Sequence, residues 1–516
     1  MAASFPKLTA NINSADLAAV PGARKILVVG QLLAAGSSAG GALQTDIKSE
    51  LEFNTLFGPK SHIAKMGRGL IKNLSISSDR PQVDAIGLAD AGGGTDATGS
   101  FAFSGTSTAI GTLKIYVDSK KNNIYSIDIA VGDTAAEVGA ALAAAITADV
   151  DANFTAANST STVTITAANA GVNGNDIGLE LSGSVAGIAV TITAMASGAT
   201  NPTLTTLFDP IDGVRYTTIV YPYSWGTSTL TALTEARFNV DNKIIDGLGI
   251  SCIQDTYANI NTAADALNLK TFSLLGNKEV SLTTKTGGAI LENPDVIACQ
   301  VAAYRELRLT VGANTSSIVT NGQNQGGSFF GGIPYHNTPF INLPVIPVGQ
   351  DFTDIEAVEL VKSGVWLLRN NPNNLVVLSN EAVTTYKTNT LGNADITFKY
   401  VNYVDTLTLV REYIFNNVKA DFSQHILTTG DLISGRPMVN ADSFIAAMVG
   451  YYVTLAEDSA YVLLRAGAAE KTAFRDAITK QLRIVLSTGT ITADSIANIV
   501  VQVRNVFLNF TPTFET

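Results

Sequence analysis

The chain has 516 residues, with 33 basic and 44 acidic side chains and a net charge of −11. Such an acidic balance argues against a nucleic-acid binder, because neutralising phosphates takes clustered Lys and Arg. Only 15% of residues are charged, 46% are apolar and Gly occurs 44 times, which excludes disorder for most of the chain and implies a surface partly covered by other copies.

Residues 1–22 are polar and small and read as an arm ending in the turn Val20-Pro21-Gly22. Lys25 to Gly30 is a short continuous apolar run, suited to a strand buried on both faces. A Gly/Ser loop at 36–41 precedes a helix over Ser61–Leu74, with Ile63, Met66, Leu70 and Leu74 on one face. The Gly-rich joint at 91–99 opens a stretch of Thr, Ala, Gly and alternating aliphatics running to about 200. Within it, alternation at Leu113–Val117 and Tyr125–Val131, a capping box at Thr134/Glu137, and strands near 163, 179 and 188 predict the order ββαβββ.

From 203 strands and helices alternate. Strands are expected at Tyr216–Tyr221, Gly249–Ile253 and Thr271–Leu275, with helices at Ser228–Val240 and from Pro294. The Gly-rich stretch 322–332 reads as a loop, Thr353/Glu356 as a second capping box, and Val365–Arg369 with Leu375–Leu378 as a hairpin. Three helical patterns follow: Leu407, Val410, Ile414 and Val418; 441–456; and Phe474, Ile478, Leu482 and Val485. The chain closes with a β-prone segment, Ile499–Phe510.

These patterns define an α/β and α+β multidomain chain. A mainly parallel α/β core domain carries an inserted β-rich α+β domain, and an α+β C-terminal domain follows. The boundaries are an arm at 1–22, core at 23–94, insert at 95–202, a middle α/β domain at 203–365, a C-terminal domain at 366–498 and a β arm at 499–516.

Little here points to catalysis. Gly36-Ser-Ser-Ala-Gly40 matches a nucleophile elbow that would make Ser38 a hydrolase nucleophile, but no helix pattern follows it directly. The stretch 94–100 resembles a phosphate-binding loop without its lysine and reads as a hinge. Cys252 and Cys299 are too few for a zinc site, and His62, His336 and His425 lack ligand spacing, so no metal or cofactor is expected. No apolar run is long enough to span a bilayer, and no basic-then-apolar export signal opens the chain, so synthesis in the cytoplasm without a membrane anchor is expected. Two basic sets stand out: Lys60, Lys65, Arg68 and Lys72, and Lys471, Arg475, Lys480 and Arg483. Lys65, Arg68 and Lys72 share a helix face, read as solvated or as docking to an acidic surface.

Three segments carry a family resemblance. Ala382-Val-Thr-Thr-Tyr-Lys-Thr-Asn-Thr-Leu-Gly-Asn-Ala-Asp395, followed by Tyr403–Leu407, resembles the tail sheath proteins of Mu-like contractile phage tails. Val20–Gln31 and the Phe57-Gly58, Ser61, Ala64, Met66 series are similar to that family's N-terminal entry. The resemblance implies a structural, non-enzymatic subunit of the virion tail, assembled in the host cytoplasm. Copies would form hexameric rings in a six-start helical sheath around an inner tail tube protein, meeting baseplate and tail terminator proteins but no nucleic acid. Contraction would drive the tube through the host envelope for genome ejection. Strand-exchanging terminal arms would involve Ala2, Phe5, Leu8 and Leu17 at one end and Val500, Val501, Val503, Val506 and Leu508 at the other. The C-terminal domain would be tube-proximal, with Arg411, Lys471 and Arg475 facing the tube, and the insert would lie outside. A surface array or adhesin-like protein is the alternative structural reading.

Overall fold

The computed structural model describes residues 24–75, 80–238, 245–278, 292–310, 319–320, 323–324, 335, 342–346, 351–370, 376–378, 382–457, 464–485 and 490–492. The apolar run after Arg24 forms β1 (Lys25–Gln31), buried at every residue but its first. It is followed by β2 (Leu43–Gln44), α1 (Glu50–Phe57), α2 (His62–Leu74) and β3 (Gln82–Leu88). Ser61 caps α2 by accepting the Ala64 N–H, and Ile63, Met66, Leu70 and Leu74 are all fully buried, as their spacing requires. Two glycines let neighbours close on α2. A Cβ at Gly67 would sit 2.2 Å from the Phe53 ring, and one at Gly69 would sit 2.6 Å from Val296.

The chain then enters β4 (Asp96–Gly105), β5 (Gly111–Val117), β6 (Ser119–Ile129), α3 (Ala135–Ala148), β7 (Phe154–Ser159), β8 (Thr162–Ala170), β9 (Leu179–Ser182) and β10 (Ile188–Ala196). The order is thus βββαββββ, correcting ββαβββ. The missing strands, β4 and β7, are rich in Ser, Thr, Gly, Ala and Asn: β4 alternates, but half of its inward set (Ala97, Gly99, Phe101, Phe103) is small, and β7 buries only Phe154. Two antiparallel sheets result, ordered β10-β4-β8-β7 and β6-β5-β9. The capping box at Thr134/Glu137 forms as expected, and Val138, Leu142 and Ile146 of α3 pack with Phe101, Ile115 and Ile165.

The central sheet resumes with β11 (Thr218–Val220), α4 (Thr227–Phe238), β12 (Leu248–Asp255), α5 (Tyr257–Asp265), β13 (Phe272–Lys278) and α6 (Pro294–Thr310). Two-residue strands β14 (Val319–Thr320) and β15 (Gln323–Asn324) pair with each other, which places a ribbon where a loop is expected at 323–324. Next come α7 (Asp354–Lys362), opened by the Thr353/Glu356 capping box, β16 (Val365–Asn370) and β17 (Val376–Leu378). The strand order is β17-β16-β13-β12-β11-β1-β3-β2, parallel except at its two ends. Strands on both sides of the insert therefore share one sheet, and the boundary at 365/366 falls inside β16.

Alternation along β1 serves both faces of this sheet. Ile26 and Val28 pack with Met66, Leu70, Ile297 and Val301 of α2 and α6. Leu27 and Val29 pack with Leu230, Ile260 and Leu360 of α4, α5 and α7. Helices on both faces are what a mainly parallel sheet requires.

A further core gathers α8 (Val401–Phe422), the short pair β18 (Ile426–Leu427) and β19 (Met438–Val439), α9 (Ala441–Glu457) and α10 (Ala468–Gln481). Val410, Ile414, Val418, Tyr452, Phe474 and Ile478 meet there. Val485, expected on the last helix, lies instead in β20 (Arg483–Val485), which pairs with β21 (Thr490–Thr492). The backbone leaves the helix at Leu482, where it turns extended.

Candidate assembly surfaces and internal junctions

Ser38 does not sit on a nucleophile elbow. Its loop leads to β2 rather than to a helix, and its Oγ accepts from Gln44 Nε2 at 3.1 Å and donates to the Ala39 carbonyl. The stretch 94–100 enters β4 and opens no helix, so it lacks the helix N-terminus that a phosphate loop uses. Cys252 and Cys299 are free and buried, and burial pushes both thiols well up. Among the described residues there is no cluster able to hold a metal ion, and no helix is long and apolar enough to cross a membrane.

The basic face of α2 is not the solvated stripe that its spacing suggests. Lys65 is buried and donates through Nζ to the carboxylate of Asp118, at the turn between β5 and β6, and to Asn153 Oδ1 at 3.3 Å. Glu292, also buried, lies 4.0 Å from the same Nζ and accepts from Ser119 Oγ at 2.8 Å and Asn122 Nδ2 at 2.9 Å. Asn293 Nδ2 donates to Asp118 Oδ1 at 3.1 Å. Burial, with Asp118 adding to it, raises the Glu292 pKa against the pull of Lys65. Arg68 donates to Asn54 Oδ1 and to the carbonyls of Pro59 and Asp151. Of the three face residues only Lys72 is exposed.

These contacts clamp the insert to the core sheet. A second set does the same at the carboxyl end of β1. Gln31 Nε2 donates to Asp90 Oδ1 at 2.7 Å and to the Ala170 carbonyl at 2.5 Å. Asn169 Oδ1 accepts the His62 N–H at 2.9 Å while its amide donates to Leu32 O and Asp90. The Gly-rich joint is therefore bridged on both sides by buried polar groups.

A chain of alternating charges starts where the N-terminal segment enters the fold. Arg24 grips Glu306 of α6 with two nitrogens, at 2.6 and 3.2 Å. Glu306 also takes Thr218 Oγ1 at 2.5 Å and Arg305 NH1 at 2.9 Å. Arg305 then donates to Asp405 in the first turns of α8, and Tyr335 OH reaches the other Asp405 oxygen at 2.6 Å. Burial pushes the Glu306 carboxyl up, but Arg24 and Arg305 outweigh it and hold the pKa below the usual value. Sequence reasoning missed this set, since its members lie on five separate segments: Arg24, Thr218, Arg305 with Glu306, Tyr335 and Asp405.

The Thr-Thr-Tyr run has a structural job. Thr384 and Thr385 are fully buried, the Thr385 N–H donates to Phe272 O, and Ser273 Oγ donates to Val383 O, tying the run to β13. Tyr386 OH donates to Asp395 at 2.8 Å, closing the loop that leads to α8. Among the proposed tube-facing cations, Arg411 is half-buried on α8. Lys471 pairs with Glu457 at 2.5 Å, and the exposed Arg475 pairs with Asp476. Lys480 and Arg483 are exposed. The arm residues Ala2, Phe5, Leu8, Leu17, Val500, Val501, Val503, Val506 and Leu508 lie outside the described residues.

Comparison with known proteins finds the chain similar to a prophage tail sheath protein. One relative is the Mu-like prophage FluMu tail sheath protein of Haemophilus influenzae, 27% identical over 413 residues that cover 78% of this chain and 76% of that protein. Among solved structures, the sheath tail protein Lin1278 from Listeria innocua aligns over 94% of this chain and 96% of its own, with a TM-score of 0.44 and 12% identity. A chain of the anti-feeding prophage baseplate aligns over 60% of this chain and 73% of its own, with a TM-score of 0.37 and 13% identity. No protein-family model matches the chain.

Proposed function

We propose that this chain is the structural subunit of a contractile tail sheath. One observation carries the reading: the similarity to a Mu-like tail sheath protein extends over about three quarters of both chains. Copies would stack as hexameric rings in a six-start helix around an inner tail tube. The terminal segments 1–22 and 499–516 would add strands to neighbouring subunits, an arrangement that gains main-chain hydrogen bonds and tolerates varied side chains. Contraction would be rigid-body repacking of subunits, driving the tube through the host envelope without nucleotide or catalysis. The buried clamps on the insert support rigid-body movement, since they give core and insert no soft joint. The division into core, outer insert and tube-proximal C-terminal unit belongs to the same reading, as do Arg411, Lys471 and Arg475 as tube contacts. Inner tube, baseplate and terminator proteins would be its partners in the virion tail.

Electron microscopy of the purified full chain tests this. Hollow striated tubes are the expected result; flat two-dimensional arrays would replace the sheath by a surface layer, and persistent monomers would remove the polymer altogether.

A further inference from the structure

One strand sequence occurs twice in the insert, in two different settings. Residues 163–167 in β8 and 190–194 in β10 both read Val-Thr-Ile-Thr-Ala. Both strands pair antiparallel with β4, on its opposite edges: Val163 stands across from Phe101, and Val190 and Ile192 stand across from Phe103 and Phe101. Opposed residues share a face, so both copies of the sequence turn the same side inwards.

Only β8 has a strand on its other edge. There β7 runs antiparallel, with Asn158 opposite Val163, Ala157 opposite Thr164 and Ala156 opposite Ile165. β10 ends the sheet. Beyond its ladder with β4, no backbone hydrogen bond among the described residues involves Ala189–Met195. Val190 and Ile192 are accordingly half-buried where Val163 and Ile165 are fully buried. At the opposite end of the sheet, β7 likewise makes backbone hydrogen bonds only to β8 among the described residues.

The edges are lightly guarded: the one irregularity in the β10 ladder falls between Thr193 and Ala196, past the stretch Val190–Ile192. Natural edge strands are usually blunted by charge, Pro or shortness. β10 has nine residues, and neither it nor β7 contains a charge or a proline. With four antiparallel strands in the sheet, β7 and β10 run in opposite directions, so β7 of one molecule set beside β10 of another is again antiparallel.

We propose that the insert sheet continues from copy to copy, β7 of one molecule seating on β10 of the next in the register it holds on β8. Ala157 of one copy then lies opposite Thr191 of its neighbour, and Asn158 opposite Val190. The contact is head-to-tail and open-ended, the geometry that builds rings or helices. It rests on the reading of the chain as a polymer and adds a lateral contact that needs neither terminal arm.

Cysteine pairing in the full chain tests it. Ala157 and Thr191 are exposed, and directly opposed residues of antiparallel strands lie within disulfide reach. Mild oxidation of the Ala157→Cys/Thr191→Cys variant is expected to give a ladder of covalent multimers that collapses on reduction, and mixing the two single variants to give a dimer. A Thr191→Cys chain that links to itself would show β10–β10 pairing and overturn the proposal, as would absence of the ladder. Micrographs separate the two ideas: tubes without the ladder sink only the continuous sheet, whereas a ladder without tubes supports it and sinks the sheath reading.

Discussion

Arg305 and Asp405, one hundred positions apart in the chain, form an ion pair whose side chains are 2% and 1% exposed. Through the adjacent Glu306 the pair reaches Arg24, so the segment entering β1 and the start of α8 are joined by charges that are all buried except the partly exposed Arg24. Asp405→Asn would put a neutral amide beside Arg305 and leave Glu306 as its remaining counter-charge. Removing one partner of a buried pair costs about 3–5 kcal/mol, and urea denaturation of the full chain should show a loss of that order. Replacing both residues with apolar side chains of similar volume should cost less. A single variant as stable as wild type would mean that the pair is solvated in solution.

Lys65→Met removes the cation shared by Asp118 and Glu292. The same about 3–5 kcal/mol applies, but it should be felt where the insert meets the core. Limited proteolysis near the 91–95 joint should accelerate while the α8–α10 unit keeps its resistance. Equal acceleration in both regions would indicate global unfolding in place of a released clamp.

Two buried glutamates should respond to pH with opposite sign. Burial raises the Glu292 pKa, so its ionised form costs stability. That cost is absent below the ordinary carboxylate range and grows as pH rises through the raised value. Glu292→Gln should therefore gain stability relative to wild type from acid to neutral pH. Glu306 is the reverse, its pKa lowered by Arg24 and Arg305 despite burial. Its contribution is complete above the ordinary glutamate range and fades as pH falls through the lowered value. The deficit of Glu306→Gln should be largest at neutral pH and shrink in acid. Denaturation midpoints between about pH 3 and 8 read both trends.

Deleting 1–20 or 500–516 should abolish tube formation while the circular dichroism and unfolding midpoint of the remainder stay near wild type. Tubes formed by either truncated chain would remove the arms from the assembly mechanism. Ser38→Ala, by contrast, should leave tubes unchanged, because its hydroxyl bonds locally, to the Ala39 carbonyl and the Gln44 amide of β2. Loss of an esterase activity present in the native chain would revive the hydrolase reading.

What could be read from the residues was local. The run Lys25–Gly30, the boxes at Thr134 and Thr353, and the spacing of Ile63, Met66, Leu70 and Leu74 each carry their signal within a few positions, and each forms the expected element. The segment Tyr257–Asp265 was missed as a helix because it buries only Ile260 and Ala264. Lys65 was misread for a different reason. Its spacing places it with Arg68 and Lys72, but its partner Asp118 lies 53 positions away, on a turn that tertiary packing brings to it. The family resemblance was legible in the Thr-Thr-Tyr run, whereas the physical reason for that run, its stitching to Phe272 and Ser273, required the fold.

The placement of β1 has a mechanical consequence. It lies between β11 and β3, paired over three residues with one and seven with the other. A pull on Arg24 along the strand axis would load the ladder bonds together in shear instead of peeling them apart in turn. The Arg24–Glu306 fork sits at the point where such a pull enters the fold. A subunit tugged from that end would resist as a riveted lap joint does, spreading the load across its middle before any one bond gives way.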